Sequence, residues 1–186
     1  SVSDVDGVTS VWLKYWYGGN PYSFVEMDPT GVNSYYETLL AIPSASLDSL
    51  HYIIAANDTN NYWNTTIEQT VLVFDDDAPV ITNVLASPSS TSQGGYVNTS
   101  CDVSDNIAVN LVRVHITYPD LSIVNLSMNE GAHYYLNQSY SMSGSYEFFI
   151  WVNDTSNNSN TSSDYTFTIT SNTHTITASA DIGGTI

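Results

Sequence analysis

The chain has almost no bases. Lys14 and Arg113 are its only Lys or Arg, set against 19 Asp and Glu, and the net charge is −17. Such a polyanion repels phosphate backbones, so nucleic acid is not expected as a partner. Charged residues are only 11% of the 186. The surface is therefore short of bases rather than crowded with acids, and reads as a soluble, hydroxyl-rich exterior. Cysteine is scarcer still. Cys101 stands alone and cannot close an internal disulfide, which leaves a buried, inert thiol as its expected role. No apolar run approaches the roughly 18 residues that would suggest a membrane span. No helical periodicity of useful length appears either.

Catalytic signatures are also missing. There is no G-x-S-x-G, H-E-x-x-H or C-x-x-C. His51, His115, His133 and His174 are scattered, without partners at metal-ligand spacing. No enzyme is expected.

What is present alternates with a period of two. "VRVHITY" sets Val112, Val114, Ile116 and Tyr118 on one face and Arg113, His115 and Thr117 on the other. "YEFFIWV" and "YVNTSCDV" do the same, the latter putting Cys101 inside and Asn98 outside. Turn signals punctuate these runs at intervals typical of short strands.

The pattern occurs twice. "VSDVDGV" (2–8) matches "VSDNIAV" (103–109) at an offset of 101, and "HYIIAANDTNN" (51–61) matches "FFIWVNDTSNN" (148–158) at an offset of 96. Asp58 falls on Asp154. The expected fold is all-β, two tandem Ig-like antiparallel β-sandwiches. Residues 1–74 form an incomplete first copy with strands C to G but without A and most of B. Residues 75–78 are an acidic linker. Residues 79–170 form a complete copy, with strands A at 79–87, B at 95–104, C at 109–118, D near 121–128, E at 133–141, F at 145–153 and G at 164–170. Residues 171–186 form an extended tail, in which Ile176, Ala178, Ala180 and Ile182 share one face. Strand E of the first copy is expected as an open edge over a half-covered core. Two explanations stay open: the tail of one subunit completes the first copy of the next, or the chain is a stretch of a longer protein.

"DDDAPVITNVLASPSS", "VSDNIAVNLVRVHITYPD" and "GSYEFFIWVNDTSNNSNTSSDYTFTIT" resemble the Ig-like, fibronectin-III-like modules of archaeal and bacterial cell-surface proteins, S-layer components among them. The resemblance covers about residues 2–170. "HTITASADIGGTI" is similar to the opening of a different surface repeat, the internalin-B-like kind. The resemblance implies an extracellular or cell-surface location and, with the sequons below, an archaeal origin. Such motifs specify the module better than its function.

Three sets of residues are candidate sites. Acceptor sequons for N-linked glycans occur at Asn57, Asn64, Asn98, Asn125, Asn137, Asn153, Asn157 and Asn160, a modest excess over chance for a chain so rich in Asn, Ser and Thr. Calcium is the expected ion. Asp75, Asp76 and Asp77 start strand A at the pole that carries the B–C and F–G loops, near Asp102, Asp105 and Asn106, and near Asp154 and Asn158. Hard carboxylate and amide oxygens suit Ca²⁺. Interface residues are the tail set together with Trp12, Trp16 and Trp151, which face outward on strands C and F beside Phe149; Trp63 lies in a turn. Exposed aromatic patches mark contacts, and carbohydrate stacking is the other use of such a face.

The function expected is structural: an extracellular glycoprotein, subunit or segment of a surface layer or filament, assembled head to tail into a homo-oligomer by strand complementation. The alternative is an adhesin or carbohydrate-binding stalk module of a larger surface protein.

Overall fold

A computed structural model gives the fold and describes residues 1–32, 34–173, 175 and 176. None of the described residues is in an α-helix. Backbone proximity divides the chain into two units, the first running Ser1–Asp76 and the second beginning at Asp77.

The first unit contains β1 (Val8–Tyr17), β2 (Ser23–Glu26), β3 (Asp28–Pro29), β4 (Tyr36–Glu37), β5 (Leu50–Asp58), β6 (Trp63–Thr65) and β7 (Gln69–Val71). One sheet runs β2-β1-β5-β6, with β7 also on β5; β3 and β4 form a separate two-residue ladder. Register places Leu13 opposite Ile54 and Tyr15 opposite Tyr52 on one face, and Trp12 opposite Ala55 and Trp16 opposite His51 on the other. Among the described residues of this unit, Val11 and Leu13 are the only buried hydrophobics, while Ile54, Tyr15 and Tyr52 stay half-exposed. The sheet has an apolar face and little to cover it.

The second unit contains β8 (Val80–Ser87), β9 (Ser90–Ser92), β10 (Tyr96–Ser104), β11 (Val109–Thr117), β12 (Ile123–Ser127), β13 (Tyr134–Ser139), β14 (Gly144–Asp154), β15 (Ser159–Thr161) and β16 (Tyr165–Thr170). One sheet is β13-β10-β8 and the other β12-β11-β14-β16-β9, with β15 also on β14. The first strand changes sheets, since β8 pairs with β10 while β9 joins β16 in parallel. Inward residues of both sheets form one core, in which Val97, Val114, Ile116, Tyr146, Phe148, Ile150, Val152 and Phe167 are at most 1% exposed. Tyr146 and Phe167 stack with ring centroids 4.9 Å apart. The Tyr146 hydroxyl donates to the Met142 carbonyl at 2.9 Å, the tyrosine corner of Ig-like sandwiches. Strand order and corner define an Ig-like β-sandwich in the fibronectin-III arrangement.

Two expectations need correction. The strand near 121–128 does not join the E–B–A sheet as a D strand; β12 pairs with β11, from Arg113 opposite Ser127 to Thr117 opposite Ile123. The turn after β11 is tight, with Tyr118 N donating to Ser122 O and Leu121 N to Tyr118 O, so the chain folds straight back onto its own strand. Among the described residues, strand E of the first unit is absent, and residues 38–49 form no strand. In the second unit that strand, β13, pairs along its length with B, which is β10. Among the described residues the first unit has no B ladder for this segment to join; Ala41 O instead accepts from the Tyr17 hydroxyl and Ser49 O from Gly18 N, and Leu39, Ile42 and Leu47 are exposed. In the tail, Ile176 is 93% exposed and outside any strand; Ala178, Ala180 and Ile182 lie outside the described residues.

Candidate functional site

Alternation along β11 and β14 sends Arg113, His115, Phe149 and Trp151 to the outer side of the larger sheet of the second unit. Register sets Arg113 opposite Trp151 and His115 opposite Phe149. The His115 and Phe149 rings stack 4.5 Å apart and 10° from parallel. With Asn125 and Thr161 they line a hollow of about 450 Å³, within the general range of ligand pockets. Arg113 Nε is buried without a hydrogen-bond partner. Burial, then the charge of Arg113, push the His115 pKa below its ordinary value, which keeps the ring neutral at pH 7.

The equivalent face of the first unit is built from the same positions but fills itself. Trp16 stacks on His51 at 5.5 Å, and Lys14, which matches His115, lays its ammonium 3.9 Å from the Tyr22 ring centre and 5.7 Å from that of Trp16. Trp12 Nε1 donates to Ser10 Oγ at 3.1 Å. The position matching Asn125 is Phe24, packed edge-on to Tyr22. Trp12, Trp16 and Trp151 are thus all half-buried on outer faces, while Trp63 is 54% exposed.

Each unit also carries a pair of loop carboxylates at matching positions. Asp154 is fully buried: its Oδ1 accepts from the backbone N–H of Ser156 and Asn158, and its Oδ2 from Asn158 Nδ2. Burial opposes its ionisation, but these bonds outweigh it and lower the pKa. Asp105 Oδ1 accepts from Ile107 and Ala108, while its Oδ2 is buried without a hydrogen-bond partner. Carboxylate oxygens of Asp105 and Asp154 come within 4.8 Å of each other. In the first unit Asp58 accepts from Asn60 and Tyr62, and Asp4 from Asp6, and the oxygens of Asp4, Asp6 and Asp58 converge within the same limit. The repeat of Asp58 on Asp154 pointed to this set, but the expectation singled out only the second copy. Asp75 is half-buried and Asp76 and Asp77 are exposed. Asp102 goes elsewhere: it is held by Asn83 and His133, and these bonds lower its pKa.

The eight sequons differ in what their amides do. Asn57, Asn98 and Asn153 are half-buried. Asn57 Oδ1 already accepts from Ser10, and its Nδ2 donates to Asn61. Asn160 is exposed, but its Nδ2 donates to Pro79 O. Asn64, Asn125, Asn137 and Asn157 are exposed. Asn98 and Asn137 lie directly opposite each other on β10 and β13.

No family model matches the chain. No curated protein matches it either. Among solved structures it is similar to fibronectin(III)-like modules of Clostridium thermocellum CbhA, with 14% identity over 96% of this chain and 88% of that one and a TM-score of 0.43. It is also similar to amphioxus IgVJ-C2, with 12% identity, 90% and 91% coverage and a TM-score of 0.45. A third similarity is to the FN1-FN3 domains of chicken CNTN1, with 8% identity and a TM-score of 0.43, where the match covers 86% of this chain and 55% of that chain. The Ig-like assignment rests on the strand order and corner described above. None of the described residues belongs to a helix long and apolar enough to cross a membrane.

Proposed function

We propose that the chain is a structural glycoprotein of the cell exterior, a subunit or segment of a surface layer or filament assembled by β-strand complementation. The observation that carries this reading is the first unit's main sheet, whose apolar face holds Val11, Leu13, Tyr15, Tyr52 and Ile54 but has no opposing A–B–E layer among the described residues of 1–76. An added strand would bury that face and supply the B ladder that residues 38–49 lack. The alternating tail read from the sequence is the donor this reading assigns. A donor passed head to tail from one copy to the next builds an open chain of subunits. The reading gives the protein no catalytic step. It takes the exposed sequons as glycosylated, and it keeps calcium as the ion for the loop carboxylates. The buried, unpaired Asp105 Oδ2 supports that choice. Calorimetry without heat at millimolar Ca²⁺ removes the calcium component alone.

The direct test adds a synthetic peptide of residues 172–186 in excess to the purified chain. Complementation predicts that the peptide binds and blocks assembly, and that amides of β1 and β5 gain protection from exchange. A peptide that neither binds nor changes the assembly state overturns it.

A second reading, a carbohydrate-binding stalk module, is favoured by one feature, the hollow between Arg113 and Trp151. Saturable binding of free glycans by a monomeric chain distinguishes it from the first.

A further inference from the structure

The outer hollow of the second unit holds three rings, His115, Phe149 and Trp151, and the chain's only arginine. Its wall also contains Asn125, the acceptor of the Asn125-Leu126-Ser127 sequon. Asn125 sits directly opposite His115 in the β11–β12 ladder, so its side chain rises from the rim of the same face. It is exposed, and none of the hydrogen bonds among the described residues uses its amide. The hollow thus comes with an attachment point for its own occupant.

We infer that the glycan carried by Asn125 folds back onto this face and covers Trp151, Phe149 and Arg113. The inference rests on the glycoprotein reading above. Glycan transfer forms a bond from Asn125 Nδ2 to the anomeric carbon of the sugar. It breaks the bond from that carbon to the phosphate oxygen of a lipid-phosphate-linked sugar donor and releases one Nδ2 proton. The attached pyranose rings present apolar C–H faces, which pack on aromatic faces and remove them from water. Their hydroxyl and ring oxygens are acceptors. Arg113 is half-buried and lines the same hollow, and its guanidinium is a donor-only group that such oxygens suit.

The first unit gives the contrast. At the position of Asn125 it has Phe24, and at the position of His115 it has Lys14, which caps the Tyr22 and Trp16 rings itself. One copy covers its aromatic face with side chains. The other copy leaves a hollow and places an acceptor at its edge.

The experiment compares the native glycoprotein from its host with Asn125→Gln, Ser127→Ala and Asn137→Gln chains made in the same host. Peptide mapping reads occupancy of Asn125, and hydroxyl-radical footprinting reads the solvent access of each tryptophan. The expected result is an occupied Asn125 and a several-fold rise in Trp151 oxidation in both Asn125→Gln and Ser127→Ala. Trp12 and Trp16 should stay unchanged, and Asn137→Gln should behave as the native protein. Equal Trp151 oxidation with and without the Asn125 glycan overturns the inference while leaving the glycoprotein reading intact. A bare Asn125 in the native protein also overturns it; a chain without sugar at any sequon removes the glycoprotein reading as well. A rise in Trp151 oxidation in Asn137→Gln equal to that in Asn125→Gln assigns the effect to general loosening and overturns the inference.

Discussion

His115 lies flat on Phe149 across the β11–β14 pair, 4.5 Å between ring centres, with Arg113 two residues away on the same face. Burial and then the Arg113 charge depress the His115 pKa below its ordinary value of 6.5. An unfolded chain takes up this proton near that value, and the folded chain only at lower pH. Between the two the unfolded state binds more protons, so stability falls as pH drops. The contribution is complete above the unfolded pKa and is lost as pH falls through the folded one. His115→Phe keeps the stack and removes the proton. The native chain should lose more melting temperature between about pH 7.5 and about pH 5.5 than the variant does. Equal losses in thermal scans count against this account of His115.

Tyr146 anchors the corner of the second unit through its hydroxyl, 2.9 Å from the Met142 carbonyl, within a cluster that includes Tyr118, Tyr140 and Phe167. Tyr146→Phe keeps the packing and deletes the bond. The expected loss is about 1 kcal/mol, read by denaturant unfolding. An unchanged midpoint assigns the corner no energetic role.

The two units should respond differently to the same truncation. Ile150 is completely buried in the second unit, and Ile150→Ala should cost about 2–5 kcal/mol. Ile54, at the matching strand of the first unit, is half-exposed. Ile54→Ala should cost the isolated chain under about 1 kcal/mol, since little burial is lost, yet weaken assembly, because it thins the face that a donor strand would cover. Equal destabilisation in urea melts argues that the first unit is already closed.

Cys101 is 1% exposed, and burial followed by the neighbouring Asp102 raises its pKa to about 11. Reaction requires an accessible thiolate. The thiol should resist aromatic disulfide reagents at neutral pH in the native protein and react promptly in denaturant; rapid native-state labelling contradicts its placement in the core.

Much of this was legible in the sequence because a period of two assigns each residue to a face. The outer positions of Arg113, His115 and Trp151 and the inner ones of Val114 and Cys101 follow from alternation alone. The repeat of Asp58 on Asp154 marked a shared loop. Sheet membership was less legible: β12 alternates the same way whether it pairs with C or with E, and only the tight turn after Tyr118 decides. Absent strands are harder still, because Leu39, Ile42 and Leu47 are apolar enough for a strand and fail for want of a B ladder. The hollow itself depends on the sizes of residues brought opposite each other, Arg113 to Trp151 and His115 to Asn125, and neither pairing is written in local order.

The most direct measurement is sedimentation velocity of the chain 1–186 beside the truncation 1–173, over a range of concentration. Strand complementation predicts concentration-dependent polymers for the full chain and a monomer for the truncation at every concentration. Two monomers with the same sedimentation coefficient contradict it.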